Sequence, residues 1–157
     1  MARLPQRIVC LSTETVEVLY LLGEEARIAG ISGFTTHPPR ARKEKPKVSG
    51  FSSARIERIL AVEPDLVLAF SDLQGDIARD LVKAGVAVHV FNHRSVDGIL
   101  AMIETVGRLV GAEARALALV TELEQTIATE RAAGEARAAR LGGRPKVYFE
   151  EWNEPLI

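Results

Sequence analysis

The sequence predicts an α/β fold in which helices flank an open parallel sheet, on three observations. Apolar runs of strand length alternate along the chain with segments of helical periodicity. The turns between them are short, which favours right-handed crossovers between parallel strands. Residues 66–70, Leu-Val-Leu-Ala-Phe, are apolar at every position, as expected of a strand covered on both faces.

Taken in order, residues 8–12 read as the first strand. Thr13 is the N-cap of a helix that turns Val16, Leu19, Tyr20 and Leu22 inward, and Gly23 supplies its left-handed stop. Residues 28–32 form a second strand and residues 47–50 a short third, with a linker-like stretch at 35–47 between them. Ser52 and Ser53 are the capping candidates of a helix whose apolar stripe is Ile56, Ile59 and Leu60. Pro64 disfavours helical geometry at Glu63 and ends that helix before the strand at 66–70. Ser71 or Asp72 then opens a helix that buries Ile77, Leu81 and Val82 and stops at Gly85. Residues 86–91 make a fifth strand. Ser95 caps a helix with Ile99, Ile103, Val106 and Val110 at helical spacing, closed by Gly111. The succession reads as a Rossmann-like open parallel sheet.

Two features depart from that alternation. Residues 113–141 are rich in Ala, Glu and Arg and predict one helix of roughly 40 Å, longer than a crossover needs. Leu117, Val120, Leu123 and Ile127 keep an apolar stripe over its first half, while the half around Gly134 is mostly alanine and charge. Residues 146–150 then predict a final strand.

The bulk properties exclude several classes. A chain of 157 residues fits one sizeable core, and 47% apolar with 26% charged residues is an ordinary globular balance. A net charge of −1 gives no electrostatic footprint for nucleic acid. The single cysteine, Cys10, rules out an internal disulfide and leaves the redox compartment open. No apolar stretch approaches the roughly 18 residues of a membrane span. The first 12 residues carry positive charge but no apolar signal core or small-residue cleavage site, so the expectation is a cytoplasmic chain or one whose leader has been removed.

No catalytic constellation is present: there is no Walker loop, no G-x-G-x-x-G, no G-x-S-x-G elbow and no H-E-x-x-H. In open α/β sheets ligands gather outside the carboxyl ends of the strands. That rule selects Ser12, Thr13 and Glu14 after the first strand, and Gly33, Phe34 and Thr35 after the second. It also selects Gly50 and Phe51 after the third, Ser71, Asp72 and Gln74 after the fourth, and Asn92 and His93 after the fifth. Aromatic and polar side chains mix there, as a large amphipathic ligand requires. His89 and His93 lie roughly 13 Å apart if extended and cannot share one ion, and a Cys/His zinc site is implausible with one cysteine. No resident metal or prosthetic group is expected. The basic run Arg40, Arg42, Lys43, Lys45 and Lys47 reads either as a solvated loop or as an attractor of anionic ligand groups.

One resemblance narrows this reading. The block KVSGFSSARIERILAVEPDLVLAF, with RIVCLS, ETVEVLYLLG, RIAGISGFTTHPP and VAVHVF, resembles the substrate-binding proteins of ABC importers for vitamin B12, haem and ferric siderophores. In that family two α/β lobes are joined by one long helix, with ligand between them. The resemblance implies an N-terminal lobe at residues 1–112, the connecting helix at 113–141, and at 142–157 the first strand and loop of a second lobe that is mostly absent. It implies a cobalamin, haem or siderophore ligand carried as cargo, a permease partner and an extracytoplasmic setting. Phe34 and Phe51 match positions where family members hold aromatics against ligand; loop aromatics that pack locally are the other reading. His37, before the proline pair, matches an aromatic or His near the cleft; a surface turn residue is the other reading. Glu57 matches a glutamate that docks into permease arginines, against a plain solvated carboxylate between Arg55 and Arg58. Trp152, with Glu150 and Glu151, matches ligand-contacting positions of the second lobe. Two further readings stand beside this one. The first is a small doubly wound enzymatic or nucleotide-binding domain, against which the glycine-free STET at residues 12–15 counts. The second is self-association through Val147, Phe149, Trp152 and Leu156.

Overall fold

The computed structural model describes residues 4–149. Strands Ile8–Cys10 (β1), Ile28–Ser32 (β2), Lys47–Ser49 (β3), Leu66–Phe70 (β4) and Val88–Phe91 (β5) form one sheet in the order β3-β2-β1-β4-β5. Every neighbouring pair is parallel. The chain steps outward from β1 to β3, then resumes on the other side of β1 with β4 and β5, so strand order reverses between β1 and β4. Those two inner strands are apolar because both their faces are covered: Ile8, Val9, Cys10, Val67, Leu68 and Ala69 are 0% exposed.

The helices are Thr13–Leu21 (α1), Ala41–Glu44 (α2), Ile56–Leu60 (α3), Gly75–Lys83 (α4), Val96–Val110 (α5) and Glu113–Arg140 (α6). α3 packs on β3 and α4, and α1 on β2 and α5. Val9, Leu11, Val67 and Ala69 share one core cluster with Ile59 of α3 and with Ile77 and Leu81 of α4. Strand side chains alternate in direction, so Ile8, Cys10 and Leu68 serve the opposite layer. There α1 and α5 bury Val16, Leu19, Ile103 and Val106.

The chain divides into two compact units, Met1–Val120 and Thr121–Ile157. The first holds the sheet and the opening turns of α6. Gly107 of α5 is required there, since a Cβ at that position would sit 2.4 Å from the Cβ of Ala116. Arg115 of α6 also pairs with Glu24, which Arg27 grips from the other side at 2.6 Å. In the second unit α6 continues to Arg140 with no buried residue.

Several expectations are corrected. Residues 146–149 form no strand, because among the described residues of that unit no other strand offers a ladder to pair with; residue 150 lies outside the described residues. Ser52 and Ser53 do not cap α3. Gly50 donates to the Ser53 carbonyl at 2.8 Å and Ser49 bridges Ala54 antiparallel, so the helix begins only at Ile56 with Arg55 at its N-cap. Ser12, not Thr13, is the N-cap of α1. The linker-like stretch contains α2. Val82, Ile99 and Leu117 are 60%, 42% and 60% exposed. Ala78 and Met102 take the buried places on α4 and α5, and Ala116 and Val120 are the residues buried on α6.

Candidate functional site

The loops at the carboxyl ends of the five strands lie side by side in sheet order, and a side chain from within the fold binds them together. Gln74, 0% exposed, donates from Nε2 to the carbonyls of Leu11 (3.1 Å) and Phe51 (2.7 Å), and its Oε1 accepts from Phe70 N (2.9 Å). It thereby ties the ends of β1 and β4 to the loop after β3. Where strand order reverses, between β1 and β4, the buried Gln74 bonds to the ends of both strands. Gln74 acts as a brace between these loops.

The β2 loop is fixed in the same manner. Arg42 Nη1 donates to the carbonyls of Gly33 and Thr35, both at 2.7 Å, so this member of the basic run is spent on the backbone. Ser32 Oγ accepts from Phe34 N at 3.2 Å and donates to the Gly50 carbonyl at 3.2 Å. Thr13 Oγ1 donates to the Phe34 carbonyl at 3.4 Å, linking the β1 and β2 loops. Phe34 is thus held by its backbone while the residue as a whole is 68% exposed. The ring lies next to Gly50, 3.9 Å from where a Cβ at that position would stand. A large apolar ring kept in water on a rigid mount is what a contact surface for a flat apolar ligand needs.

At the other end of the rim, His93 packs on Phe70 with ring centroids 4.9 Å apart. Arg94 lies over the Phe70 ring at 5.5 Å and pairs with Asp72 at 3.0 Å. A Cβ at Gly98 would stand 2.6 Å from that of His93, so glycine at the start of α5 is what admits this histidine. Thr35 Oγ1 and His93 Nδ1 are buried with no hydrogen-bond partner among the described residues.

The expected site residues separate by exposure. Thr13 and Glu14 are half-buried, Asn92 and Phe34 exposed, and Phe51 half-buried with its carbonyl held by Gln74. Ser12 and Ser71 are turned inward, 2% and 1% exposed. Ser71, at a strained φ of 63°, accepts from Leu73 N and caps the turn Asp72–Gln74. His37 is exposed, its Nδ1 3.2 Å from Thr36 Oγ1, and lines a recess of about 260 Å³ with Tyr20, Leu21 and Arg40, a set that contains none of the expected rim residues. Trp152 lies outside the described residues. Glu57 is exposed on α3, on the side away from the fully buried Ile59.

Among the described residues no group of three or more His, Cys, Asp or Glu could hold a metal ion. Burial pushes the Cys10 thiol up to about 12, which leaves it inert. No helix of the described residues is long and apolar enough to cross a membrane. Sequence reasoning missed the bracing roles of Gln74 and Arg42. The one signal for the first is a glutamine four residues beyond a buried strand end, in a stretch that otherwise reads as a helix start.

The model of the periplasmic binding protein family matches residues 8–157. The chain belongs to that family. A cobalamin-binding protein of Halobacterium salinarum is 32% identical over 148 residues, covering 92% of this chain and 39% of the relative. An ABC transporter substrate-binding lipoprotein of Bacillus subtilis is 30% identical over 127 residues, covering 78% and 40%. Among solved structures, a periplasmic heme-binding protein from Pseudomonas aeruginosa superposes with a TM-score of 0.78 at 26% identity, covering 87% of this chain and 49% of that one. The chain therefore spans about two-fifths of the length of the two curated relatives and half of the solved one.

Proposed function

We propose that this chain is the N-terminal lobe and connecting helix of the solute-binding component of an ABC importer. Its braced rim is one wall of a cleft for a metal-chelate ligand of the corrinoid, haem or ferric siderophore class. The metal arrives inside the ligand as cargo, and no residue here need hold it. The observation that carries the reading is Phe34, an aromatic residue 68% exposed on a loop pinned at Gly33, Phe34 and Thr35. Thr13, Glu14 and Asn92 supply polar contacts around it, and Phe51 a second apolar edge. Ser12 and Ser71 shape the rim without touching ligand. Glu57 is the permease-docking carboxylate. The relatives' names, cobalamin, heme and ABC transporter substrate-binding, support the same class of cargo.

Absorbance titrations with cyanocobalamin, haemin and a ferric siderophore test this, on the chain as it stands and on one carrying a second lobe. The two-lobed form is expected to bind one of the three. Replacing the aromatic ring in Phe34→Ala should cost about 2 kcal/mol, roughly thirtyfold in affinity. Binding of none of the three, or binding indifferent to Phe34→Ala, would overturn the proposal.

A further inference from the structure

A second concavity lies on the open edge of the sheet, outside the rim. It has a volume of about 560 Å³ and is lined by Lys47, Ser49, Ser53, Arg55 and Arg58 around a floor of Val48 and Ala54. Gly50 is the only residue it has in common with the expected rim residues. Three of its lining side chains are cationic and none is a carboxylate.

The arginines are unusual within their unit. The other described arginines of Met1–Val120, from Arg7 to Arg115, each donate to a carbonyl or carboxylate oxygen. Arg55 and Arg58 have no such acceptor among the described residues. A third unspent group joins them: Ser49 Oγ is buried without a hydrogen-bond partner. The cavity is also pre-formed. The Ser49–Ala54 bridge and the Gly50-to-Ser53 hydrogen bond of 2.8 Å close the turn.

We infer that this cavity is a binding site for a small organic oxyanion, a molecule bearing phosphate or several carboxylates. Guanidinium forks match both groups in two-point geometry, and Lys47 adds a point charge without a directional demand. The volume falls in the range of small-molecule sites and exceeds what one inorganic ion fills. Concave placement of like charges concentrates their field, which favours a multivalent anion over chloride. The inference is independent of the metal-chelate reading, because the two sites use different side chains.

The test is isothermal titration of the full chain with citrate and, separately, with pyrophosphate, at constant ionic strength and with sodium chloride as the blank. One-to-one saturable binding of either probe is expected, and the stronger of the two identifies carboxylate or phosphate as the preferred group. The double variant Arg55→Gln, Arg58→Gln should lose at least thirtyfold. Arg137→Gln, on the exposed stretch of α6, should stay within twofold. All three positions are exposed, so folding is not at risk. Absence of saturable binding for both probes, or equal binding by the double variant, would refute the site. In the two-lobed form the double variant Arg55→Gln, Arg58→Gln should leave metal-chelate binding unchanged, which keeps failure of this site distinct from failure of the cleft.

Discussion

The opening turns of α6 and its remainder are one continuous helix read in two different environments. Over residues 113–120 the helix buries Ala116 and Val120, meets Gly107 at a distance only glycine allows, and sends Arg115 to Glu24. Over residues 121–140 it buries nothing. The first stretch is held by tertiary fit, while the second has no fully buried residue and is rich in the alanines and long charged residues that favour a helix intrinsically. Amphipathic periodicity in a sequence therefore says what a helix can bury, and only a neighbour decides what it does bury. Leu117 belongs to the predicted stripe and is nevertheless 60% exposed.

The contrast breaks most visibly where a single buried group joins distant segments of the first unit. Gln74→Ala removes three hydrogen bonds and leaves the Leu11 and Phe51 carbonyls and the Phe70 amide without this partner. The expected loss is about 3 kcal/mol or more, because stranded buried polar groups cost about 1–3 kcal/mol each. Urea denaturation reads the loss as a lower midpoint at unchanged slope. A loss under 1 kcal/mol would mean the rim is held by other means.

A matched pair of glycines sharpens the comparison. Gly107→Ala places a methyl 2.4 Å from the Cβ of Ala116 and should cost about 1–3 kcal/mol through forced separation of α5 and α6. Gly134→Ala meets nothing within 4 Å and should gain up to about 1 kcal/mol of local helix stability. The first lowers the global midpoint; the second raises the helical circular dichroism signal. If both moved the global midpoint equally, the two stretches of α6 would be one cooperative region after all.

Much of this organisation was legible in the residues. The apolar runs of β2 and β4 coincide with the predicted strands, Ser95 caps α5 through Gly98 N, and Gly111 closes it at φ 72°. Errors arose where a long-range partner decides. Residues 146–149 have strand propensity but, among the described residues, no ladder to join. The Ser52 and Ser53 caps were pre-empted by the turn that bridges back to β3. At the rim, the strand-end rule selects residues by position and cannot tell an exposed side chain such as Asn92 from a buried one such as Ser71. Gln74 reaches partners 63 and 23 residues away, and no local pattern encodes that. Ser71 reads as an exposed polar residue until its positive φ and inward turn are seen.

The smallest expected effect concerns the charge that anchors the start of α6. Burial alone would raise the Glu24 carboxyl. Hydrogen bonds from Arg27 and Arg115, with their charges, outweigh it and hold the group below its ordinary 4.5. A carboxyl depressed in the folded state contributes stability that is fully present above the unfolded value and lost as pH falls through the folded one. Urea midpoints of the native chain and of Glu24→Gln, compared from pH 7 down to pH 3, isolate this contribution from that of the other carboxylates. The gap between them should be constant from pH 7 to about 5 and close as pH drops below 4.5. A gap that persists at pH 3 would show that glutamine loses packing rather than charge, and the tie between α6 and Glu24 would then be steric.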